Sequence, residues 1–293
     1  MKETVKFILL ALVFWGAHLA KAQQEDGDVE STDTTEFDEQ NGTNHTSGGN
    51  RVGRIMGGVR GSSANKAYSV LMTLYGTSTV YTAGAIISNT EILTSASALK
   101  SAGTVTKFSI AAGIGTSMYQ VVYVTYKSHE FQPGFDSATL ANDVAIITIN
   151  ETFAGVANVQ TIAIATTEIA VSTTTRTTCV VVGRGQMPNT AASGTMDQTD
   201  YELLTDQECT SAFNQAQPSS ILCARSVSGY ACNVDSGAPL VCNGQLYGIL
   251  TLQTGCTPST PKIQKFAKLA VIRIPWNTPT ISTPPRKNYV SCT

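Results

Sequence analysis

The stretch that decides the interpretation of this chain is Cys232-Asn-Val-Asp-Ser-Gly-Ala-Pro-Leu-Val-Cys242. It leads into a β-rich run, Pro239 to Leu252. Similar short runs, rich in Val, Ile and Thr and broken by Gly, Ser and Asn, precede it: Ser69 to Tyr75, Tyr81 to Ser88, Gln120 to Tyr126, Asp143 to Ile149 and Cys179 to Gly183. Their period-2 alternation predicts strands. We therefore expect an all-β barrel or sandwich, with one short helix after the capping box Thr205-Asp-Gln-Glu208.

Composition and the N-terminus predict an exported protein. The 293 residues carry 14% charged side chains and a formal charge of −2, which argues against nucleic acid as a partner. Residues 1–22 have basic positions, a short apolar run and a small-residue cleavage site, which is typical of a signal peptide. We find no apolar run long enough to span a membrane, because a span needs about 20 residues. We therefore predict a secreted, extracellular protein.

The segments at the two ends differ from the body of the chain. Residues 23–54 contain eight acidic side chains, all before Asn50, and predict a disordered leader. Residues 55–276 form the predicted domain, and residues 277–293 are expected to be a loose, proline-containing tail. Candidate glycosylation sites of the Asn-x-Thr type begin at Asn41, Asn44 and Asn150.

Seven cysteines lie in the C-terminal half, and in an exported protein we expect most of them to form disulfides. Because the number is odd, one sulfur must stay free, be modified or bind another molecule, and Cys292 is the obvious remainder. The body contains one histidine, so no Cys/His set for a metal is visible and we expect no cofactor.

Four motifs in a set order carry a resemblance. They are Arg54-Ile-Met-Gly-Gly58, Leu93-Thr-Ser-Ala-Ser-Ala98, Asn142-Asp-Val-Ala-Ile146 and the stretch 232–242. Together they resemble the trypsin-like serine peptidase family over about 240 residues. The resemblance implies two six-stranded antiparallel β-barrels with little helix and a catalytic site in the cleft between them.

The resemblance places a degenerate catalytic triad in that cleft. Ser236 takes the place of the nucleophile and Asp143 that of the buried carboxylate that orients the base. The family motif Thr-Ala-Ala-His-Cys reads Thr94-Ser-Ala-Ser-Ala98 here, so Ser97 stands where the histidine is expected. A serine hydroxyl is a poor nucleophile without a base to accept its proton, and we therefore predict an inactive enzyme.

Further departures affect the substrate site. Val234 replaces the glycine that shapes the oxyanion hole, and a β-branched residue resists the backbone conformations that glycine adopts. By the resemblance, Tyr230 lies at the base of the specificity pocket and Lys262 replaces a wall glycine, so the two should fill it. The substrate-docking edge Ser-Trp-Gly reads Thr251-Leu-Gln253.

The resemblance also implies three disulfides and an activation mechanism. The pairs are Cys179 with Cys242, Cys209 with Cys223, and Cys232 with Cys256, while a fourth family bridge is absent at both ends, where Thr82 and Ala98 stand. Cleavage after Arg54 would free the amino group of Ile55 to pair with Asp235. Alternatively, Arg54 is merely an accessible site in a linker.

The expected function is therefore that of a secreted, inactive serine peptidase homologue, similar to those of insect haemolymph and seminal fluid. Such a protein would bind secreted or cell-surface proteins, including active peptidases, as a cofactor or decoy. One alternative is a weak hydrolase that uses Ser236 with His129, although we expect His129 to be an ordinary exposed residue. The other is a structural component that is covalently linked to a partner through Cys292.

Overall fold

A computed structural model describes residues 55, 58–60, 66–112, 120–122, 124–183, 196–253 and 262–272. These residues all belong to one unit, Gly49–Thr293. Several predicted features lie outside the described residues: the signal peptide, the rest of the leader with Asn41, Asn44 and Arg54, and the segments that contain Cys256 and Cys292.

The first barrel is a sheet of seven strands in the order β6-β5-β2-β3-β4-β8-β7. Strands β6 and β7, at the two ends of this order, follow each other in the chain with only residues 123–125 between them. The elements of this barrel are β2 (Ser69–Tyr75), β3 (Thr79–Ile86), β4 (Glu91–Thr94), α1 (Ala96–Ser101), β5 (Lys107–Ala112), β6 (Gln120–Val122), β7 (Tyr126–Phe131) and β8 (Ala145–Ile149).

The second barrel contains the short strand β1 (Val59–Arg60) and six strands that close into a ring, because β9 pairs with β10 as well as with β12. Its other elements are β9 (Thr178–Gly183), β10 (Asp197–Leu203), α2 (Asp206–Phe213), β11 (Ile221–Ser226), β12 (Pro239–Cys242), β13 (Gln245–Leu250) and β14 (Ile263–Lys268). The prediction of an all-β fold with two antiparallel six-stranded barrels and little helix is confirmed. The second barrel has β1 as an added strand, and the first has seven strands when the successive strands β6 and β7 are counted separately.

The predicted strand Ser69–Tyr75 agrees with the structure, where it is β2. Two predicted runs are wrong in their extent. Pro239 to Leu252 is not one strand but a hairpin, because Asn243 and Gly244 both have positive φ and form its two-residue turn. Gln120 to Tyr126 is interrupted after Val122, and Tyr126 begins the next strand.

Two predicted disulfides are confirmed. Cys179–Cys242 joins β9 to β12, and Cys209–Cys223 joins α2 to β11. Cys232 is also disulfide-bonded, and its predicted partner Cys256 lies outside the described residues.

The predicted capping box begins α2. The Thr205 hydroxyl accepts a hydrogen bond from the Glu208 amide, and the Glu208 carboxylate accepts one from the Thr205 amide. Arg176 holds the same carboxylate from outside the helix, with Nη2 2.5 Å from Oε1. Bonds from Arg176 and Thr205 lower the pKa of Glu208 to about 2.

We expect Thr205→Ala to lower the free energy of unfolding by about 1 kcal/mol, because an N-cap hydroxyl satisfies an otherwise unpaired helix amide. Ser211→Ala in the exposed part of the same helix is the matched control and should leave stability nearly unchanged. Chemical denaturation of both variants measures the difference, and equal effects would contradict the role of the cap.

Candidate active site

The two barrels meet where the turn that contains Ser236 touches β3. The Ser236 carbonyl oxygen accepts two hydrogen bonds of 2.7 Å, one from the Ala83 amide and one from the Thr82 hydroxyl. The next residue, Gly237, has φ +82°, and a side chain there would overlap the Ala83 carbonyl and the Thr94 hydroxyl. This close approach requires glycine and holds Ser236 against the first barrel.

Asp143 and Ser97 are brought together at this junction. Asp143 precedes β8, is fully buried, and accepts a hydrogen bond of 2.7 Å from the Ser97 hydroxyl and one of 2.6 Å from the Ser97 amide. The Ser95 hydroxyl lies 3.1 Å from the same carboxylate and also caps α1. The hydroxyl and the amide of Ser97 therefore satisfy the Asp143 carboxylate. By the resemblance, Ser97 stands where a histidine is expected.

The electrostatic setting of Asp143 is unusual for a buried acid. Its carboxylate bonds to hydroxyl and amide groups of Ser95, Ser97 and Leu252, and no salt bridge to it occurs among the described residues. Burial raises the pKa of Asp143, and these hydrogen bonds oppose the rise only in part. Within the described part of the chain, the carboxylate thus has no base to orient and no cation to balance its charge.

The Ser236 side chain is nearly fully buried, and its Oγ accepts a hydrogen bond of 2.9 Å from the Gln253 amide. That amide belongs to the edge segment 251–253, which by the resemblance would pair with substrate. The Gln253 side chain is held in turn by Gln264, whose Nε2 lies 2.8 Å from its Oε1. The Tyr201 hydroxyl donates to the Oε1 of Gln264. A chain of polar contacts therefore leads from the interior of the second barrel to Ser236.

Tyr230 and Lys262, which we expect to fill the specificity pocket, lie together. Tyr230 is 2% exposed, and its hydroxyl has no hydrogen-bond partner among the described residues. The Lys262 Nζ lies 4.7 Å from the centroid of the Tyr230 ring, a cation–π distance. Gln264 also donates to the carbonyl of the adjacent Ala231, so side chains occupy this region.

The turn before Ser236 is a short 3₁₀ helix, Asn233–Asp235, which includes the half-buried Val234. The Asp235 amide donates to the Cys232 carbonyl, and the Asp235 carboxylate accepts from the Cys232 amide, each over 2.9 Å. Ile55 is fully buried. Its side chain and the Asp235 carboxylate both lie against Gly183, because a Cβ at that position would come within 3.0 Å of each. The structure thus brings Ile55 and Asp235 together.

His129 is not the exposed residue that we expected. It lies on β7 and is partly buried, with its Nδ1 in contact with the Tyr126 hydroxyl and its ring 5.2 Å from that of Phe131. Burial lowers its pKa. These contacts belong to the first barrel's own strand β7 and do not include Ser236. Asn150, the one glycosylation candidate among the described residues, is exposed and its amide donates to the Thr125 hydroxyl.

Comparison with known proteins settles the family. The family described as Trypsin matches residues 55–271, most of the chain. The chain belongs to the trypsin-like serine protease family. It is 27% identical to Trypsin iota of Drosophila melanogaster over 77% of this chain and 87% of that protein. It is 30% identical to Trypsin-3 of Salmo salar over 59% of this chain and 72% of that one. The match to Trypsin of Xenopus laevis is also 30% identical, over 42% of this chain and about half of the relative, 51%.

Within this trypsin-family domain, sequence reasoning missed three residues of the site. Ser95 carries a recognisable signal, because it stands before the helix α1 and accepts from the Ala98 amide, as an N-cap does. Gln264 and Tyr201 carry none, because their roles depend on contacts between strands that are far apart in sequence. In the described part of the chain no helix is long and apolar enough to cross a membrane, and no cluster of three metal-ligating side chains occurs.

We expect Asp143→Asn to become more stable relative to the wild type as the pH rises from about 3 to 7. Burial raises the pKa of Asp143 in the folded protein above its ordinary value of 3.8. The protonated side chain therefore contributes its full stability below pH 3.8. This contribution is lost as the pH rises through the folded pKa. Denaturant unfolding of both proteins at several pH values measures the difference.

Asp136→Asn is the matched control for this experiment. Hydrogen bonds from Ala138 and Thr139 lower the pKa of the exposed Asp136. The wild type should therefore gain stability over this variant as the pH rises, the opposite direction. A pH-independent difference for Asp143→Asn would contradict the assignment of a buried, uncompensated carboxylate.

Proposed function

We propose that this chain is a secreted, non-catalytic member of the trypsin family that acts by binding other proteins. The role is that of a cofactor or decoy in an extracellular protease network, with secreted or cell-surface proteins, including active serine peptidases, as partners. The observation that carries the proposal is the bond between Ser97 and Asp143, because Ser97 occupies the position of the catalytic base.

The chemistry supports this reading. Acyl transfer by serine needs a base that accepts the hydroxyl proton during attack, and the Ser97 hydroxyl does not accept a proton near neutral pH. Loss of the base in a serine peptidase costs about 10⁶ in turnover. A protein that keeps the fold after such a loss retains a large, rigid surface that can recognise partners.

The substrate site also departs from the family pattern, in ways that oppose the binding of a substrate. The Gln253 amide is engaged with Ser236 Oγ, so that donor is not available for β-pairing with a peptide. By the resemblance, Tyr230 stands at the base of the specificity pocket and Lys262 replaces a wall glycine, and the contact between the two side chains supports a filled pocket. A substrate would therefore have to displace contacts of this chain in order to bind, which supports recognition of partners through other surfaces.

Secretion and processing belong to the same proposal. The two described disulfides fit an oxidising compartment, and residues 1–22 have the pattern of a signal peptide. Cleavage after Arg54 would give Ile55 a free amino group close to the Asp235 carboxylate and so stabilise the neighbouring turn. The similarity to a fruit-fly relative supports an insect-type homologue.

We expect no covalent labelling of the protein by a fluorophosphonate probe. The protein is first treated with a trypsin-like peptidase, N-terminal sequencing confirms the new end Ile-Met-Gly-Gly, and an active trypsin is labelled alongside as the positive control. Labelling that Ser236→Ala abolishes would overturn the proposal and favour the weak hydrolase. In that case His129→Gln would test whether His129 acts as the base.

The covalent alternative has its own test. If Cys292 links the protein to a partner, non-reducing gels of the secreted protein show a larger species that disappears on reduction and in Cys292→Ser. A single monomer band under both conditions contradicts a structural role through Cys292.

A further inference from the structure

A cavity of about 550 Å³ borders the second barrel. Its inner wall contains buried side chains from three strands, Leu203 of β10, Leu222 of β11 and Tyr247 of β13. Ile169 and Val171, which are half-buried and pack against the same core, form another wall. The volume lies in the range of about 300–1,000 Å³ that is typical of small-molecule sites.

The segment that carries Ile169 is fastened to the barrel, so this wall of the cavity is fixed before any ligand enters. The Ile169 amide donates a hydrogen bond of 2.9 Å to the Tyr247 hydroxyl. Earlier in the segment, the Ala165 amide donates to the Leu246 carbonyl over 3.0 Å, and the Leu246 amide donates to the Ala163 carbonyl over 2.9 Å. Binding to a pre-formed site costs little ordering of the protein, which favours affinity for a small ligand.

The charged groups at this cavity leave a net negative charge at its mouth. Glu168 and Asp206 line the cavity and are both exposed, whereas the Lys268 side chain is only 12% exposed. The Lys268 ammonium lies 3.4 Å from the Glu168 carboxylate and so offsets one of the two negative charges. Asp206 makes no salt bridge among the described residues, and the nearby Arg176 is paired with Glu208. The mouth therefore favours a cation.

We propose that this cavity binds a small organic cation with an apolar body, of the class of the aryl-alkyl amines. The apolar body packs between Leu222 and Val171, where the burial of its surface stabilises the complex. The ammonium faces Asp206 at the mouth, where its charge is complementary. The cavity residues are distinct from those of the site around Ser236, and the proposal does not rest on the proposed non-catalytic function.

Three probes with the same apolar body and different charges test the proposal: phenylbutylamine, phenylbutanol and phenylbutyrate. The amine is protonated near neutral pH, as a lysine side chain is. Isothermal titration calorimetry of the full secreted protein measures the three dissociation constants. We expect the amine to bind several-fold more tightly than the alcohol and the acid to bind most weakly, because only the amine complements the charge of Asp206.

A variant at the mouth tests where the amine binds. Ala170 lines the cavity and is exposed, so Ala170→Trp fills the mouth without disturbing the core. We expect the binding of both amine and alcohol to be lost. Ala163→Trp is the matched control, because Ala163 is an exposed alanine of the same segment and is not among the residues that line the cavity. It should leave both dissociation constants unchanged, and circular dichroism melting shows that each variant is folded.

A second variant tests the charge. Asp206→Asn should weaken binding of the amine to about that of the alcohol and leave binding of the alcohol unchanged. Asp200→Asn is its control, because it removes an exposed carboxylate of the same barrel that does not line the cavity.

The proposal is overturned if the amine does not bind or binds no more tightly than the alcohol. It is equally overturned if folded Ala170→Trp leaves the affinity for the amine unchanged, because the amine would then bind elsewhere. Labelling of Ser236 by the fluorophosphonate probe tests the proposed function alone, so the two proposals succeed or fail separately.

Discussion

The contact between the Ser236–Gly237 turn and β3 is the constraint on which the site depends. Two donors of β3 converge on one carbonyl oxygen, and glycine is needed because any side chain at position 237 would overlap the first barrel. Thr82 supplies one of these donors at a position where the family has half of a disulfide. A hydroxyl thus contributes to the junction between the barrels at this position.

Asp143 has a structural role at the junction, because its buried carboxylate pairs with several buried donors. Hydroxyl and amide groups of Ser95, Ser97 and Leu252 now satisfy a carboxylate that the family uses to orient a histidine. Its removal would leave these donors unpaired in the interior, which is costly. Asp143 therefore satisfies buried polar groups, and this role does not depend on catalysis.

Much of the fold was predictable because its signals are local. The strand β2, the capping box of α2 and two disulfides agree with the sequence interpretation. The hairpin turn at Asn243-Gly244 was also a local signal and was overlooked. In contrast, β10 reads Asp-Gln-Thr-Asp-Tyr-Glu-Leu and was not predicted, since its strand geometry comes from pairing with β9 and β11 on both sides.

The sequence by itself determined the family, and it predicted a serine where the family motif has a histidine, because both depend on residue identity at ordered motif positions. Only the tertiary structure decided that Ser97 bonds to Asp143, that the Gln253 amide engages Ser236, and that His129 contacts Tyr126. Ser97 and Asp143 lie 46 residues apart, and a hydrogen bond forms only when its donor and acceptor atoms are held within about 3 Å of each other. Spacing along the chain does not determine such distances, whereas the packing of two closed barrels does.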